Sequence, residues 1–182
     1  MKEMTELNER VAERAVDEGL VDVGYAPYDS PLGTLWLAAT PRGLVTLSYS
    51  SDALDRLSQR VSPRMMEVPR LVDAARRELD EYFAGRRQRF DVDLDWSLIA
   101  GFGKSVLEAT ARIPYGAVST YREVAEEAGN RKAARAAGNA LGSNPIAIVI
   151  PCHRVLHSGG GLGGYGGGLA KKEYLLQLEG AR

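Results

Sequence analysis

The sequence predicts a mixed α/β (α+β) chain in two parts, a small sheet-bearing amino-terminal domain followed by a mainly helical carboxy-terminal one. Three observations predict it. Two β-type apolar runs, 32–39 and 44–49, flank the turn residues Pro41-Arg42-Gly43. A charged stretch, 86–95, interrupts the pattern. After residue 97 helical spacing takes over, and two short helices meet at a glycine-containing turn. The expected divisions are an acidic extension at 1–20, an α/β domain at 21–95 and a helix-turn-helix domain at 96–182.

Within the extension, Leu7, Val11, Ala15 and Val16 have helical spacing on an acidic background, the pattern of a solvated or loosely docked amphipathic tail. After the two β-type runs, Leu71, Val72, Ala75, Leu79, Tyr82 and Phe83 share one helical face, and Gly85 stops that helix. The segment 86–95 reads as a linker or edge, and the domain boundary is placed near it. Val106, Leu107, Thr110 and Ile113 predict a helix ended by Pro114-Tyr115-Gly116. Thr120 and Glu123 have capping-box spacing and open the next helix. Gly129 breaks it, Asn130 can cap its successor, and the alanine-rich 131–141 should be helical throughout. The apolar run Ile146–Ile150 is of strand type and delivers the chain to Pro151-Cys152. A glycine-rich loop, 158–168, and a helix, 169–178, complete the pattern.

A chain of 182 residues with 45% hydrophobic and 26% charged residues has the composition of a globular protein with a real core. No apolar run approaches the roughly 20 residues of a bilayer span, so no membrane association is expected. The acidic start lacks the apolar region of a secretory signal. One cysteine excludes an internal disulfide and fits a reducing compartment. The expected location is cytoplasmic. Net charge is −1, but its distribution is uneven. Residues 1–30 hold three bases against eight acids, and 128–182 hold seven bases against two acids. Such a basic third can face phosphates, and a salt-balanced surface explains it equally well.

Cys152 carries the chemistry. A lone cysteine is by default an inert buried hydrophobe, but the context here differs. Pro151 fixes the backbone before the sulfur, and His153 and Arg154 place positive charge directly after it. Positive charge favours the thiolate, which is the nucleophile. In an extended segment His153 would face away from the sulfur, so either a turn at Pro151-Cys152 or a bridging water is required. A third group should fix the imidazole tautomer, and Glu179 is a candidate that spacing alone does not select. His157 has no comparable context and reads as a loop residue. The string Gly161 to Gly166 matches GxGxxG literally but lacks a following strand and helix, so a dinucleotide reading is rejected. The glycines instead allow close backbone approach to a flat ligand. One cysteine and two histidines do not form a zinc set, and neither metal nor cofactor is expected.

The run Ile150-Pro151-Cys152-His153-Arg154-Val155 resembles the active-site sequence of the O6-alkylguanine-DNA alkyltransferases. The resemblance extends to Ile113-Pro114-Tyr115-Gly116, Tyr121, Lys132-Ala133-Ala134-Arg135-Ala136, Asn144-Pro145, Gly164-Tyr165-Gly166-Gly167-Gly168 and Leu175 to Gly180. Ser30-Pro31-Leu32-Gly33 and Tyr82-Phe83-Ala84-Gly85 carry it more weakly, and together the match spans roughly 25–180. It implies an RNase-H-like α/β domain followed by a winged-helix-like domain holding the DNA-binding helix and the cysteine. It further implies that Cys152 accepts the alkyl group, while His153, through a water, and Glu179 maintain its thiolate. Tyr121 would donate a proton toward the departing guanine, and Asn144 would organise the cysteine turn. Arg135 would enter the vacated base stack, on a segment with Lys132, Ala133, Ala134, Ala136 and Gly138 small or basic enough to meet a groove. Backbone at Cys152 and Val155, with Tyr165 and Gly166, would read the flipped base. The implied partner is alkylated double-stranded DNA, met by a monomer, with cooperation along DNA left open.

The first 24 residues exceed the match, and Gly103 and Leu107 stand where relatives carry glutamine and a large aromatic. Some relatives hold zinc in the amino-terminal domain, which a single cysteine argues against here. Two other readings are a protein that flips alkylated bases without repairing them and a regulator that uses Cys152 as a sensor. Relatives of the first kind replace the cysteine. The second would need an effector segment that only residues 1–23 could supply.

Overall fold

The computed structural model describes residues 2–181. The chain forms two compact units, the first comprising residues up to Leu79 with Val92–Leu98, the second Asp80–Asp91 with the residues from Ile99 onward. The chain therefore passes between units three times, where the sequence suggested one boundary near 95.

In the first unit, strands β1 (Val23–Ser30), β2 (Gly33–Thr40), β3 (Gly43–Ser48) and β4 (Met65–Glu67) form a sheet of order β3-β2-β1-β4. β1–β2 and β2–β3 are antiparallel hairpins, and β4 joins β1 in parallel. Helix α1 (Lys2–Asp17) precedes the sheet, and α2 (Asp52–Arg60) and α3 (Asp73–Phe83) follow β3 and β4. Val23, Ala38, Val45 and Leu57 form a buried cluster, packed by Tyr25, Leu54 and Met65. The strands near 32–39 and 44–49 stand where periodicity put them, whereas β1, β4 and α2 were not read from the sequence. The acidic extension is helical, but its expected face is only half used. Ala12 is buried while Leu7 and Val11 are exposed, and Asp17 pairs with Arg70 at 3.0 Å. The segment 92–98 runs along the edge of β3, exchanging backbone hydrogen bonds between Leu44 and both Asp93 and Asp95.

α3 ends as its sequence indicates. Gly85 takes φ +70, and the Arg86 N–H closes on the Glu81 carbonyl. The last turn of α3, from Asp80, is counted with the second unit.

The second unit contains α4 (Gly101–Ala111), β5 (Ser119–Thr120), α5 (Tyr121–Glu127), α6 (Ala134–Gly142), β6 (Val155–Leu156) and α7 (Leu169–Leu178). α4, α5 and α6 pack on one another, and β5 pairs with β6 in parallel. Val106, Leu107, Thr110 and Ile113 are buried as expected. Thr120 and Glu123 complete the reciprocal capping box. Two expectations fail here. α6 begins at Ala134, because the Asn130 carboxamide accepts from Lys132 N–H and forms a turn instead of a cap. Ile146–Ile150 is no strand. It is a buried tight turn in which Ile148 takes φ +70, a strained value for a β-branched residue. Among the described residues, no helix is long and apolar enough to cross a membrane.

Candidate active site

The turn that replaces the expected strand aims the cysteine. Asn144 spans it, its Oδ1 accepting from Ile146 N–H at 3.0 Å while its Nδ2 donates to the Ile150 carbonyl at 2.9 Å. The same Nδ2 lies 3.2 Å from Cys152 Sγ. Residues Cys152–Arg154 then form a single 3₁₀ turn, closed by Arg154 N–H on the Pro151 carbonyl. The structure contains the turn at Pro151-Cys152, but the turn does not bring His153 Nδ1 within hydrogen-bond reach of the sulfur.

Cys152 is 7% exposed. Burial pushes its thiol up, against the Asn144 amide, the Lys172 charge and the N–H groups of Cys152 and His153, which pull it down. The thiolate is therefore sustained only by specific partners.

Glu179, which caps α7, is the hub behind the cysteine. Its Oε1 accepts from His153 Nε2 at 2.9 Å, from Arg154 at 2.9 Å and from the Tyr82 hydroxyl at 2.6 Å. Its Oε2 accepts from Arg154 Nε at 2.8 Å. Burial pushes this carboxyl up, but the hydrogen bonds from His153, Arg154 and Tyr82 outweigh it and hold the group at about 2. His153 is fully buried, and burial lowers its pKa against the pull of Glu179. An ionised Glu179 requires the imidazole proton on Nε2, which leaves Nδ1 as a lone pair. That Nδ1 is buried and has no hydrogen-bond partner among the described residues.

Arg154 does not serve the sulfur, as its place in the sequence had suggested. Its guanidinium is spent on Glu179 and on the Ile113 carbonyl at 2.5 Å, and it lies 5.9 Å from the Tyr115 ring. Tyr115 in turn donates to the Leu178 carbonyl at 2.9 Å, bracing the end of α7 beside Glu179.

A cavity of about 590 Å³ opens over the sulfur. It brings together Cys152, Tyr121, Arg135, Gly138, Tyr165 and Gly166, with His157 also on its wall. Ala134 lines it too, whereas Lys132, Ala133 and Ala136 do not. Lys132 and Ala136 are exposed and Ala133 is half-buried. Val155 is wholly buried in β6 and lies off the wall. His157, read as a plain loop residue, packs its ring 5.2 Å from that of Tyr121. Burial and the Cys152 charge push Tyr121 up, so it retains a proton beside the sulfur. Of the seven carboxy-terminal bases, Arg154 and Lys172 are buried and belong to the site, leaving a smaller basic surface than the count implied.

The glycine loop is shaped by Tyr121. A Cβ on Gly163 would lie 2.5 Å from the Tyr121 hydroxyl, at a backbone φ of +69. Gly163→Ala should therefore displace Tyr121 and cost at least about 1–2 kcal/mol in backbone strain. Gly159→Ala, whose Cβ meets nothing within 4 Å, should be silent. Thermal melts and transfer kinetics on both variants check this, and equal behaviour of the two would remove Tyr121 as the reason for Gly163.

Sequence reasoning missed Tyr82 as a partner of Glu179 and Lys172 altogether. The sequence pattern puts Tyr82 on an apolar helical face and Lys172 among the carboxy-terminal bases. Among the described residues no group of three or more His, Cys, Asp or Glu side chains gathers to hold a metal.

Comparison with known proteins agrees with this geometry. Residues 23–96 match the family described as 6-O-methylguanine DNA methyltransferase, ribonuclease-like domain, and residues 101–181 match its DNA binding domain. A methylated-DNA–protein-cysteine methyltransferase of Methanosarcina acetivorans is 42% identical over 86% of this chain and 98% of its own. One from Mycolicibacterium paratuberculosis is 43% identical over 86% and 92%. Among solved structures, Mycobacterium tuberculosis OGT in complex with DNA has a TM-score of 0.75 at 40% identity, covering 87% of this chain and 93% of that one. The O6-methylguanine methyltransferase of the same organism has a TM-score of 0.73 at 41% identity, covering 88% and 94%. With both domain families matched in order and relatives aligned over nearly their whole lengths, the chain belongs to the methylated-DNA–protein-cysteine methyltransferase family.

Proposed function

We propose that this chain repairs double-stranded DNA by moving a methyl or other alkyl group from guanine O6, and secondarily from thymine O4, to Cys152 in one irreversible step. One observation carries the reading. The only cysteine lies at the wall of a cavity that also holds Arg135 and Tyr121, with a neutral imidazole and an ionised carboxylate behind it.

The thiol proton passes to His153 Nδ1, through one water, and Glu179 stabilises the imidazolium that forms. The sulfur then attacks the alkyl carbon. A C–S bond forms, the C–O6 bond breaks, and its electron pair stays with the base. Tyr121 gives its proton to the departing guanine and is reprotonated from the relay. The products are an intact base and a thioether at Cys152. No group in the site reverses a thioether, so each molecule acts once. In this reading the protein acts as a monomer, wherever the cell keeps its DNA.

An alkyl carbon on O6 is hidden in the duplex, so the nucleotide must rotate out at a cost of a few kcal/mol. Arg135, exposed on α6 and lining the cavity, is the planar cation that would fill the vacated stack in this reading. Arg135→Ala should slow transfer from duplex roughly 10–100-fold while changing the reaction with free O6-benzylguanine little. Equal losses on both substrates would take Arg135 out of the flipping step.

The reading is tested by intact-mass measurement after incubation with excess methylated duplex, followed by peptide mapping. One added methylene on the peptide carrying Cys152, with no turnover beyond one equivalent, is expected. A free thiol after that incubation would overturn it and leave a protein that binds damage without repairing it.

A further inference from the structure

His157 lies on the cavity wall, and the transfer chemistry gives it no part. A short ladder puts it there. β5 and β6 pair in parallel, Ser119 with Val155 and Thr120 with Leu156. The next step of that register sets Tyr121 beside His157, where β5 turns into α5 and β6 runs out into the glycine loop. The two rings meet at 5.2 Å between centroids and 44° between planes, the geometry of an attractive aromatic pair.

His157 is itself held. Its N–H donates to the Gly161 carbonyl at 2.9 Å, and its own carbonyl accepts from Gly160 N–H at 2.8 Å. Gly160 takes φ +79 in closing this turn. A Cβ on Gly161 would sit 3.8 Å from the imidazole Cδ2, so the ring lies close over that glycine. Although the residue is exposed, its ring is braced between the base of the loop and Tyr121.

Tyr121 is only half-buried, and two of its close neighbours are glycines, which offer no side chain to hold it. A Cβ on Gly138 would touch one edge of its ring at 3.7 Å, and one on Gly163 would strike its hydroxyl at 2.5 Å. Its oxygen takes a backbone hydrogen bond from Gly164, which leaves the hydroxyl proton to be given away. A general acid must hold that proton within hydrogen-bond reach of the leaving atom.

Resting on the repair reading for its reaction, we propose that His157 is a positioning residue of alkyl transfer. Its ring, packed on that of Tyr121, keeps the phenol hydroxyl turned into the cavity and toward the departing base. The role belongs to the ring and not to a charge, so a flat neutral side chain can fill it.

Free O6-benzylguanine is the probe, so that no phosphate contact of an exposed imidazole enters the result. His157→Ala should slow benzyl transfer to Cys152 about three- to tenfold, the contribution of one aromatic pair, and His157→Phe should restore the rate to within about twofold. Alkylation of Cys152 by iodoacetamide should change by less than about twofold in both, because iodide leaves without a proton. In a Tyr121→Phe background, where no proton is left to place, His157→Ala should add no further loss. The proposal is overturned if His157→Ala costs nothing, if Phe does not restore the rate, if iodoacetamide shares the loss, or if the loss adds fully to that of Tyr121→Phe.

A second measurement needs no alkylated base. In a Cys152→Ala background, nitration of Tyr121 by tetranitromethane is located by peptide mapping. It should run about threefold faster or more with His157→Ala than with His157 or His157→Phe, since burial pushes the Tyr121 phenol up and loss of the ring uncovers it. Equal nitration in all three would refute the packing. Failure of the repair reading would look different, with no benzyl transfer by the unaltered protein and the nitration order intact.

Discussion

Cys152→Ala is expected to abolish alkyl transfer while leaving binding to methylated duplex within about twofold of the unaltered protein. Two separable elements underlie this. The sulfur is the sole thiol of the chain and sits inward, 7% exposed. The exposed helix that carries Arg135 and Ala136 is a different element, with no backbone dependence on the sulfur. Removing the thiol deletes one hydrogen bond, from Asn144 Nδ2 at 3.2 Å. That amide keeps its bond to the Ile150 carbonyl, so the turn survives. A neutral hydrogen bond of this kind contributes about 1 kcal/mol, too little to unfold a domain. Gel-shift affinity and intact mass, measured on the same preparation, separate the outcomes. Methyl gain in the variant would place the acceptor elsewhere, and lost binding would show that the cysteine turn shapes the DNA surface.

What the sequence revealed follows the range of the forces involved. The capping box at Thr120, the stop at Gly85 and the last helix were legible because each is decided within four or five residues. β1 was not, because Gly24 and Pro27 break the run and one of its two partners, β4, lies far along the chain. Ile146–Ile150 has a composition that suits a buried strand or a buried turn equally. Asn144, which spans the segment, makes it a turn. Within the site, Cys152 and His153 announce themselves by adjacency. Tyr82 reaches Glu179 across 97 positions, and only the fold brings them together. Lys172 ran against a sound expectation, since lysines are almost always solvated. A buried lysine can be recognised only after the carbonyls of Val155, Leu162 and Gly164 are seen to converge on it.

Glu179→Gln should have the second large effect, on stability and reactivity together. The carboxylate receives four hydrogen bonds on two oxygens, from Tyr82, His153 and twice from Arg154. An amide offers one acceptor oxygen, and its NH₂ would face a donor in either orientation. If it faces Arg154 Nε, a buried guanidinium loses half of its bidentate partner, and breaking such a pair costs about 3–5 kcal/mol. If it faces His153, the imidazole proton is driven to Nδ1, and the base that should accept the thiol proton disappears. Both orientations should lower the rate of Cys152 alkylation by iodoacetamide near neutral pH. The pH dependence supplies an independent check. Glu179 stands at about 2 in the folded chain against an ordinary 4.5. The folded state therefore releases this proton more readily than the unfolded state, and the stabilisation is complete above about pH 4.5. It is lost as pH falls from there toward 2, and amounts to about 3 kcal/mol at full strength. Urea unfolding of the unaltered protein should weaken through that window, and Glu179→Gln should lack this part of the decline. If the two proteins lost stability in parallel between pH 5 and 2.5, Glu179 would not be the ionised hub on which the tautomer of His153, and hence the proton path from Cys152, depends.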